Sequence, residues 1–450
     1  MGNDTIPLCN SAAKKILDYW LAQQQIRRRI PGISVGITNE QQTTYQNFLG
    51  SKNSKGSRAD ETTLFRIASI SKIFTTISLL QLKEQKKLNL DDPVAEYLEW
   101  FRDETDKNKE VITIRQILYH CSGLSRDGKT THWSEHSFPD KDSLKKSVRE
   151  SRTTREPIVR MNYSNLAFGV LGQVIEAVTN QAYDQYVDKN ILKKLGMENT
   201  FADYTEDQKD SLAKGFSRED EQGIRTEFDH LKTYALASAT GFSSCIKDIC
   251  TFMRAQLSMD KRLLSKESWR DMKRIQWIHK SGTKYGLGYW LYDTAGCKMY
   301  GHSGGFQGFI SMMGLNDEHK TGIVVLTNAI DGPAIELANT MMAILRKTEE
   351  TSEKKEEDLK EYEGVYESVW GEIQIVNINH ELISTMPLQR NPVAETTTFE
   401  KKEKDVFLMK EGNEFDYVGE DAIFQRDEQQ KITGVRIGPD LFNKKEIKES

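Results

Sequence analysis

No stretch of this 450-residue chain approaches the eighteen or so consecutive apolar residues that a membrane-crossing helix needs, so a membrane span is not expected. The N-terminus, Met1 to Lys15, lacks a basic segment followed by an apolar one, and Ile6 stands where a myristoylation pattern requires Ser or Thr. The chain as written is therefore expected in the cytoplasm, or in the periplasm or outside the cell if a leader precedes it. Charge of one sign is also lacking. Lys and Arg number 62 against 67 Asp and Glu, and the formal net charge is -5. The basic groups are interspersed with acidic ones, which excludes the basic stripe of a nucleic-acid binder. Cysteine is scarce: Cys9, Cys121, Cys245, Cys250 and Cys297 are odd in number and form no C-x-x-C pair. That excludes a disulfide scaffold and favours a reducing compartment slightly. Cys245 and Cys250 have no matching ligand pair for zinc, and no metal or cofactor is expected.

What the chain does have is enough length for two domains, with a hydrophobic fraction of 37% and a charged fraction of 29% that suit a globular protein. Residues 11–29 read as a helix ended by Pro31-Gly32, followed by a hairpin of residues 33–38 and 43–49. From Asn89 to about Lys232 the periodicity is mostly helical with long loops, among them Ser125 to Asp140, where His132 and His136 read as loop residues rather than ligands. Helices are expected over 247–257, 266–273 and 333–345, and strands over 286–292, 306–315 and 321–327. A sheet assembled from both ends of the region, with a helical insert between, follows. The charge block Arg346 to Lys360 has almost no apolar content and reads as an exposed helix end or linker. Beyond it, short segments at 371–378, 382–386, 406–409, 415–418, 422–426 and 431–437, separated by turns, predict a small all-β barrel or half-barrel.

The chemistry centres on Ser69-Ile70-Ser71-Lys72. The same Ser-x-x-Lys spacing starts at Ser11, Ser143, Ser211, Ser244, Ser258, Ser281 and Ser352, so spacing alone decides nothing. Context separates Ser69. Leu64, Phe65 and Ile67 suit a buried strand before it, and Ile70, Ile73, Phe74, Ile77 and Leu80 predict an amphipathic helix after it, to about Lys86. A serine at a helix's first turn meets outward-pointing amides that welcome negative charge, and Lys72, one turn on, faces the same way. The competing reading of this segment alone is a capping serine followed by a surface lysine.

Two further segments strengthen the catalytic reading. Tyr163 and Asn165 lie just before a helix. A phenol whose proton affinity is lowered by nearby cations could take the serine proton, and Asn165 could donate to a substrate carbonyl and accept from Lys72. Tyr300-Gly301-His302-Ser303-Gly304-Gly305-Phe306 sets a histidine among glycines at a strand, where the amide of Gly305 with that of Ser69 would form a two-donor oxyanion hole. A glycine-rich strand turn with an incidental histidine is the alternative there.

In this order the motifs resemble the serine beta-lactamase and penicillin-binding protein superfamily, nearest the class C beta-lactamase-related esterases, D-aminopeptidases and D-alanyl-D-alanine carboxypeptidases. Ser69 to Lys72 matches Ser-x-x-Lys, Tyr163 to Asn165 matches Tyr-x-Asn, and His302-Ser303-Gly304 matches the His/Lys-x-Gly element. Leu88 to Val94, Ile112 to Leu118 leading to His120-Cys121-Ser122-Gly123-Leu124, and Leu195-Gly196-Met197 support it, as do Gly286 to Tyr289 and Val325 to Asn328. The resemblance spans about residues 10–345 and implies an α+β fold: an antiparallel sheet flanked by helices, an all-helical subdomain over about 89–232, and the active site at their junction. It assigns 1–345 to the hydrolase domain, 346–361 to a charged linker and 362–445 to a β-rich, lipocalin-like domain. It implies an acyl-enzyme at Ser69, proton transfer shared by Lys72 and Tyr163, and substrate orientation by Asn165 and His302. A small ester, amide or peptide is the implied substrate. His302 stands where dedicated beta-lactamases usually carry lysine, which weakens the case for antibiotic hydrolysis. Acyl transfer from a small ester or amide is the first expectation, a D-amino-acid peptidase or carboxypeptidase the second and a beta-lactamase the third. A non-catalytic binding protein on the same fold is the rival from another class.

Overall fold

In the computed structural model, residues 9–102, 111–151, 157–349, 359–412 and 417–447 are described, and the chain divides into two compact units. Residues 30–338 form one; residues 1–29 and 339–450 form the other. The helix Ser11–Arg27, expected with the hydrolase domain, thus groups with the C-terminal part of the chain.

The strands of the first unit are β1 (Gly32–Thr38), β2 (Thr43–Gly50), β3 (Phe65–Arg66), β4 (Ser243–Ser244), β5 (Trp277–Ile278), β6 (Lys284–Tyr285), β7 (Trp290–Thr294), β8 (Cys297–Phe306), β9 (Phe309–Asn316) and β10 (Thr321–Thr327). Eight of them make one antiparallel sheet in the order β2-β1-β10-β9-β8-β7-β6-β5, so the expected assembly from both ends of the region before the charge block is what forms. The join is β1 on β10, with Ile33 opposite Thr327 and Ile37 opposite Ile323. Every residue of both strands is buried, which is why they read as near-continuous apolar runs rather than alternating ones. Gly36 brings the helix Ile246–Leu257 close: a Cβ there would stand 2.7 Å from Cys250 Sγ.

Three sequence expectations change. The segment 286–292 is not one strand: Gly286 N–H bonds to Tyr289 O, Gly288 takes φ +68°, and the strand begins only at Trp290. The segment 306–315 is divided by a turn at Gln307-Gly308, and the whole of β8, which carries His302, precedes it. The helix Ser71–Glu84 is not amphipathic. Ser71 through Leu82 are all buried, because its Ser and Thr side chains turn inward: Thr76 Oγ1 donates to Lys72 O, Ser78 Oγ to Phe74 O and Thr75 Oγ1 to Ser238 O. These bonds satisfy the hydroxyls locally and let every face of the helix sit in the core.

Helix starts follow the sequence more closely. Thr113 and Gln116 form a reciprocal capping box ahead of Ile114–Leu118, and Ser164 caps Asn165–Thr179 by accepting from Ala167 N–H. His132, expected in a loop, lies in the short helix His132–Glu135 and is buried.

The second unit contains a closed antiparallel barrel of β11 (Gly364–Ser368), β12 (Gly371–Ile378), β13 (Glu381–Thr385), β14 (Thr397–Glu403), β15 (Val406–Glu411), β16 (Asp421–Arg426), β17 (Ile432–Ile437) and β18 (Asp440–Lys444). Each strand pairs with the next, and β11 on β18 closes the ring through Tyr366 opposite Lys444. Tyr362, Tyr366, Phe399, Phe407 and Phe424 are among the side chains that fill its core. Strands β11, β14 and β18 escaped the sequence reading because they are short or carry charged ends such as Lys401-Lys402-Glu403. The strand expected at 415–418 falls partly outside the described residues, and Val418 lies in a turn. The helix Ser11–Arg27 is tied to the barrel by Tyr19 Oη donating to Glu372 (2.7 Å), Gln374 Nε2 donating to Lys15 O (2.9 Å) and the Lys15–Glu363 ion pair.

Candidate active site

Ser69 sits in a single 3-10 turn, Ala68–Ile70, immediately ahead of the buried helix Ser71–Glu84. The turn is held from several sides. Ile67 N–H bonds to Phe242 O, Ser311 Oγ donates to Ile67 O, and Ser71 Oγ donates to Ala68 O while accepting from Phe242 N–H. Ala68 is kept at φ +49°, a conformation that costs a non-glycine residue about 1 kcal/mol or more and that these contacts impose. Strand β8 runs directly against the turn at Gly304, where a Cβ would stand 2.3 Å from Ile67 O and 2.9 Å from Ala68 Cβ. Gly305 is the next residue on that strand, opposite Ile310.

The side chains singled out in the sequence converge here. Tyr163 Oη donates to Ser69 Oγ at 2.8 Å, and Lys72 Nζ lies 3.1 Å from the same oxygen. Lys72 Nζ also meets Asn165 Oδ1 and Ala239 O, each at 2.8 Å. Residues 69, 72, 163 and 165 thus form one hydrogen-bonded group. His302 stands one layer out, its ring centroid 6.2 Å from that of Tyr163 and its Nδ1 against Ser303 O.

Burial sets the electrostatics. Lys72 is fully buried, and desolvation pushes its pKa well below the ordinary lysine value; Asp127 opposes the shift and Arg126 adds to it. Burial raises Tyr163 above the usual phenol value, although the Ser69 hydrogen bond and Arg126 pull the other way. That corrects the expectation of a phenol acidified by cations. The Arg126 guanidinium does lie 5.1 Å from the ring centroid, but loss of hydration outweighs it. His302 is lowered to about 4, by burial first and then by Lys72, so its imidazole is neutral at physiological pH. A buried amine whose proton affinity is lowered and a protonated phenol therefore face the same serine oxygen.

Four contributors are not among the site residues expected from the sequence, although His120 opens the supporting stretch His120 to Leu124. Ala239 supplies a carbonyl from the turn Ala237–Gly241. His120, at φ +61°, packs against Tyr163 with ring centroids 4.3 Å apart and planes tilted by 32°, and its Nδ1 accepts from Ser164 N–H. Arg126 and Asp127 come from the loop after Leu124, and Asn165 Nδ2 donates to Asp127 Oδ1 at 2.8 Å. All four are brought in by packing between segments far apart in the chain. Ala237, Ser238 and Tyr183 help to line a cleft of about 690 Å³; Ser69, Lys72, Tyr163 and Asn165 do not line it. Among the described residues, no three His, Cys, Asp or Glu side chains group to hold a metal ion, and no helix is long and apolar enough to cross a membrane.

The chain is similar to several known proteins. The chain is 26% identical over 333 residues to Protein flp of Staphylococcus aureus (strain MW2), across 71% of this chain and 64% of that one. It is 29% identical over 200 residues to a putative D-alanyl-D-alanine carboxypeptidase of Escherichia coli O157:H7, across 41% of this chain and 46% of that one. The chain thus spans less than two thirds of the length of these curated relatives. The octameric penicillin-binding protein homologue from Pyrococcus abyssi superposes with a TM-score of 0.66 at 24% identity, over 96% of this chain and 99% of its own. A D-stereospecific amidohydrolase from Streptomyces sp. gives 0.59 at 24% identity, over 75% of this chain and 98% of its own. At such identities the likeness to these structures is one of fold. The beta-lactamase family model matches residues 17–343, and with that match the chain belongs to the beta-lactamase family, a family of serine hydrolases.

Proposed function

We propose that the chain is a serine hydrolase that forms an acyl-enzyme at Ser69 from a small ester or amide. The observation that carries this reading is a serine oxygen held between a buried amine at 3.1 Å, whose proton affinity burial lowers, and a phenol at 2.8 Å. In the proposed step the Ser69 hydroxyl proton passes to Lys72 Nζ as Oγ bonds the substrate carbonyl carbon. The amides of Ser69 and Gly305 receive the developing oxyanion. Collapse breaks the bond to the leaving group, which takes its proton from Lys72 directly or by way of the Tyr163 hydroxyl. Water then enters by the same relay and releases the acid.

Two features favour a neutral, apolar acyl donor. His302 is buried and uncharged, so it offers a substrate carboxylate little Coulombic attraction. Phe306, directly after Gly305, stacks with Phe138 at 5.6 Å and meets Trp133 edge-on at 5.9 Å, an aromatic group next to the proposed oxyanion site that also carries the Arg66 guanidinium 4.5 Å from the Phe306 ring centre. The second reading, a D-amino-acid amidase or peptidase, draws on the similarity to a D-stereospecific amidohydrolase and a putative D-alanyl-D-alanine carboxypeptidase.

A panel of short-chain p-nitrophenyl esters, D- and L-amino-acid anilides, D-alanyl-D-alanine peptides and a chromogenic cephalosporin separates these readings. Ester turnover is expected to lead the panel and to vanish in Ser69→Ala. Turnover surviving that substitution sinks the mechanism, and preferential cleavage of D-amino-acid anilides moves the assignment to the second reading.

A further inference from the structure

We infer that Asp127 is a positioning residue of this relay: by holding the Asn165 amide in one orientation it leaves the lone pair of Lys72 aimed at Ser69. The inference rests on the reading of Ser69 and Lys72 proposed above.

The argument is a count of donors and acceptors. An ionised carboxylate only accepts hydrogen bonds. Burial by itself would raise the Asp127 pKa, but contact with His132 and the hydrogen bond from Asn165 outweigh it and hold the group at about 2, so it is ionised across the working range. Asn165 meets Asp127 Oδ1 at 2.8 Å and must therefore present its NH2 there. Its other face, which meets Lys72 Nζ at 2.8 Å, is then the carbonyl oxygen. The opposite orientation would set two acceptors together at Asp127. A neutral amine has two N–H bonds and one lone pair. Asn165 Oδ1 and Ala239 O can only accept, so they take both N–H bonds. The remaining direction faces Ser69 Oγ at 3.1 Å, which accepts from Tyr163, so that once the amine is neutral its lone pair lies open to the serine proton. With the Asn165 amide reversed, an NH2 group would compete for that lone pair.

The Asp127 carboxylate has a second, separable effect. Its charge favours protonated Lys72, against Arg126, which disfavours it. The charged and titratable groups around Asp127 are Arg126, with Nε at 3.2 Å from Oδ2, and His132, with Nε2 at 3.6 Å from Oδ1. Around Lys72 are the Tyr163 ring, centred 4.8 Å from Nζ, and beyond it His120 and His302, both of which Lys72 destabilises in their charged forms. Asp127→Asn keeps an acceptor for Asn165 and removes the charge. Asp127→Leu removes both.

The test follows adduct formation on Ser69 by intact mass after addition of an alkyl fluorophosphonate, from about pH 5 to about pH 10, with Ser69→Ala as the blank and near-ultraviolet circular dichroism to confirm folding. Asp127→Leu is expected to acylate about 100-fold more slowly. Asp127→Asn is expected to stay within about tenfold of the parent, with the acid limb of its rate profile moved to lower pH by about half a unit, because Lys72 loses its proton more readily without the carboxylate. Asp127→Leu within about twofold of the parent overturns the inference, as does an Asp127→Asn profile lowered in height with an unmoved acid limb, the mark of a merely structural residue. Parent protein that folds but takes no adduct on Ser69 overturns the proposed catalytic reading itself, and Asp127 falls with it.

Discussion

His302 shows how burial decides what a side chain offers. A histidine in water is half charged near pH 6.5; at 7% exposure, with Lys72 nearby, this one stays neutral down to about pH 4. The sign of its effect on stability follows. Between about pH 4 and 6.5 the unfolded chain binds a proton at this position that the folded chain does not, so folding weakens as pH falls through that window and the effect levels off below it. The difference amounts to about 3 kcal/mol when the window has been crossed. His302→Gln, which cannot titrate, is expected to lose less stability than the parent between about pH 7 and pH 4. Urea melts at the two pH values measure this, and parallel losses in both proteins would refute the assignment. The same burial raises Tyr163 and lowers Lys72, the direction that the proposed role of Lys72 as base requires.

At the scale of elements, strand β8 and the Ser69 turn depend on each other. Gly304 faces Ile67 O at a separation no Cβ tolerates, and the obstructing atom is backbone, whereas a Cβ on Gly305 would meet only Ile310 Cδ1 at 3.6 Å. Gly304→Ala is therefore expected to lower the melting temperature by several degrees and slow acylation of Ser69 about tenfold or more, while Gly305→Ala leaves the melting temperature within about a degree. Equal melting temperatures for the two variants would show that β8 does not constrain the turn. The helix after Ser69 was legible in its existence and type, from Ile70, Ile73, Phe74, Ile77 and Leu80. Its complete burial was not legible, because Thr75, Thr76 and Ser78 read as a solvent face until their hydroxyl partners are known. The turn at Gly286 to Tyr289 was mistaken for strand for a similar reason: Leu287 and Tyr289 are apolar and fully buried, and burial without a ladder looks the same in sequence.

For the molecule as a whole, cysteine provides a direct probe of integrity. Cys9, Cys121, Cys245, Cys250 and Cys297 are all buried thiols. Burial also raises Cys121, Cys245 and Cys250 to about 12, so little thiolate exists to react. The folded protein is expected to give no prompt reaction with a chromogenic disulfide reagent, and the denatured chain five equivalents; prompt modification of a folded sample would contradict this burial. In the unit that contains the barrel, Arg426 is bound by Asp405 and Glu361, and the hydroxyl of the core residue Tyr362 donates to Asp405. Aromatic side chains fill that core, so the barrel is a packed body rather than an open container.

The sequence by itself determined the elements whose signals are local: the helices Ile246–Leu257 and Lys266–Lys273, the strands β1 and β10, the barrel's longer strands, and the order in which Ser69, Lys72, Tyr163, Asn165 and His302 occur. Those features depend on neighbours a few residues away, and composition and spacing record such neighbours directly. Tertiary structure alone decided the protonation of the group and the orientation of its amide. Both depend on desolvation and on partners such as Asp127, Ala239 and His120, which reach the site from separate loops and turns.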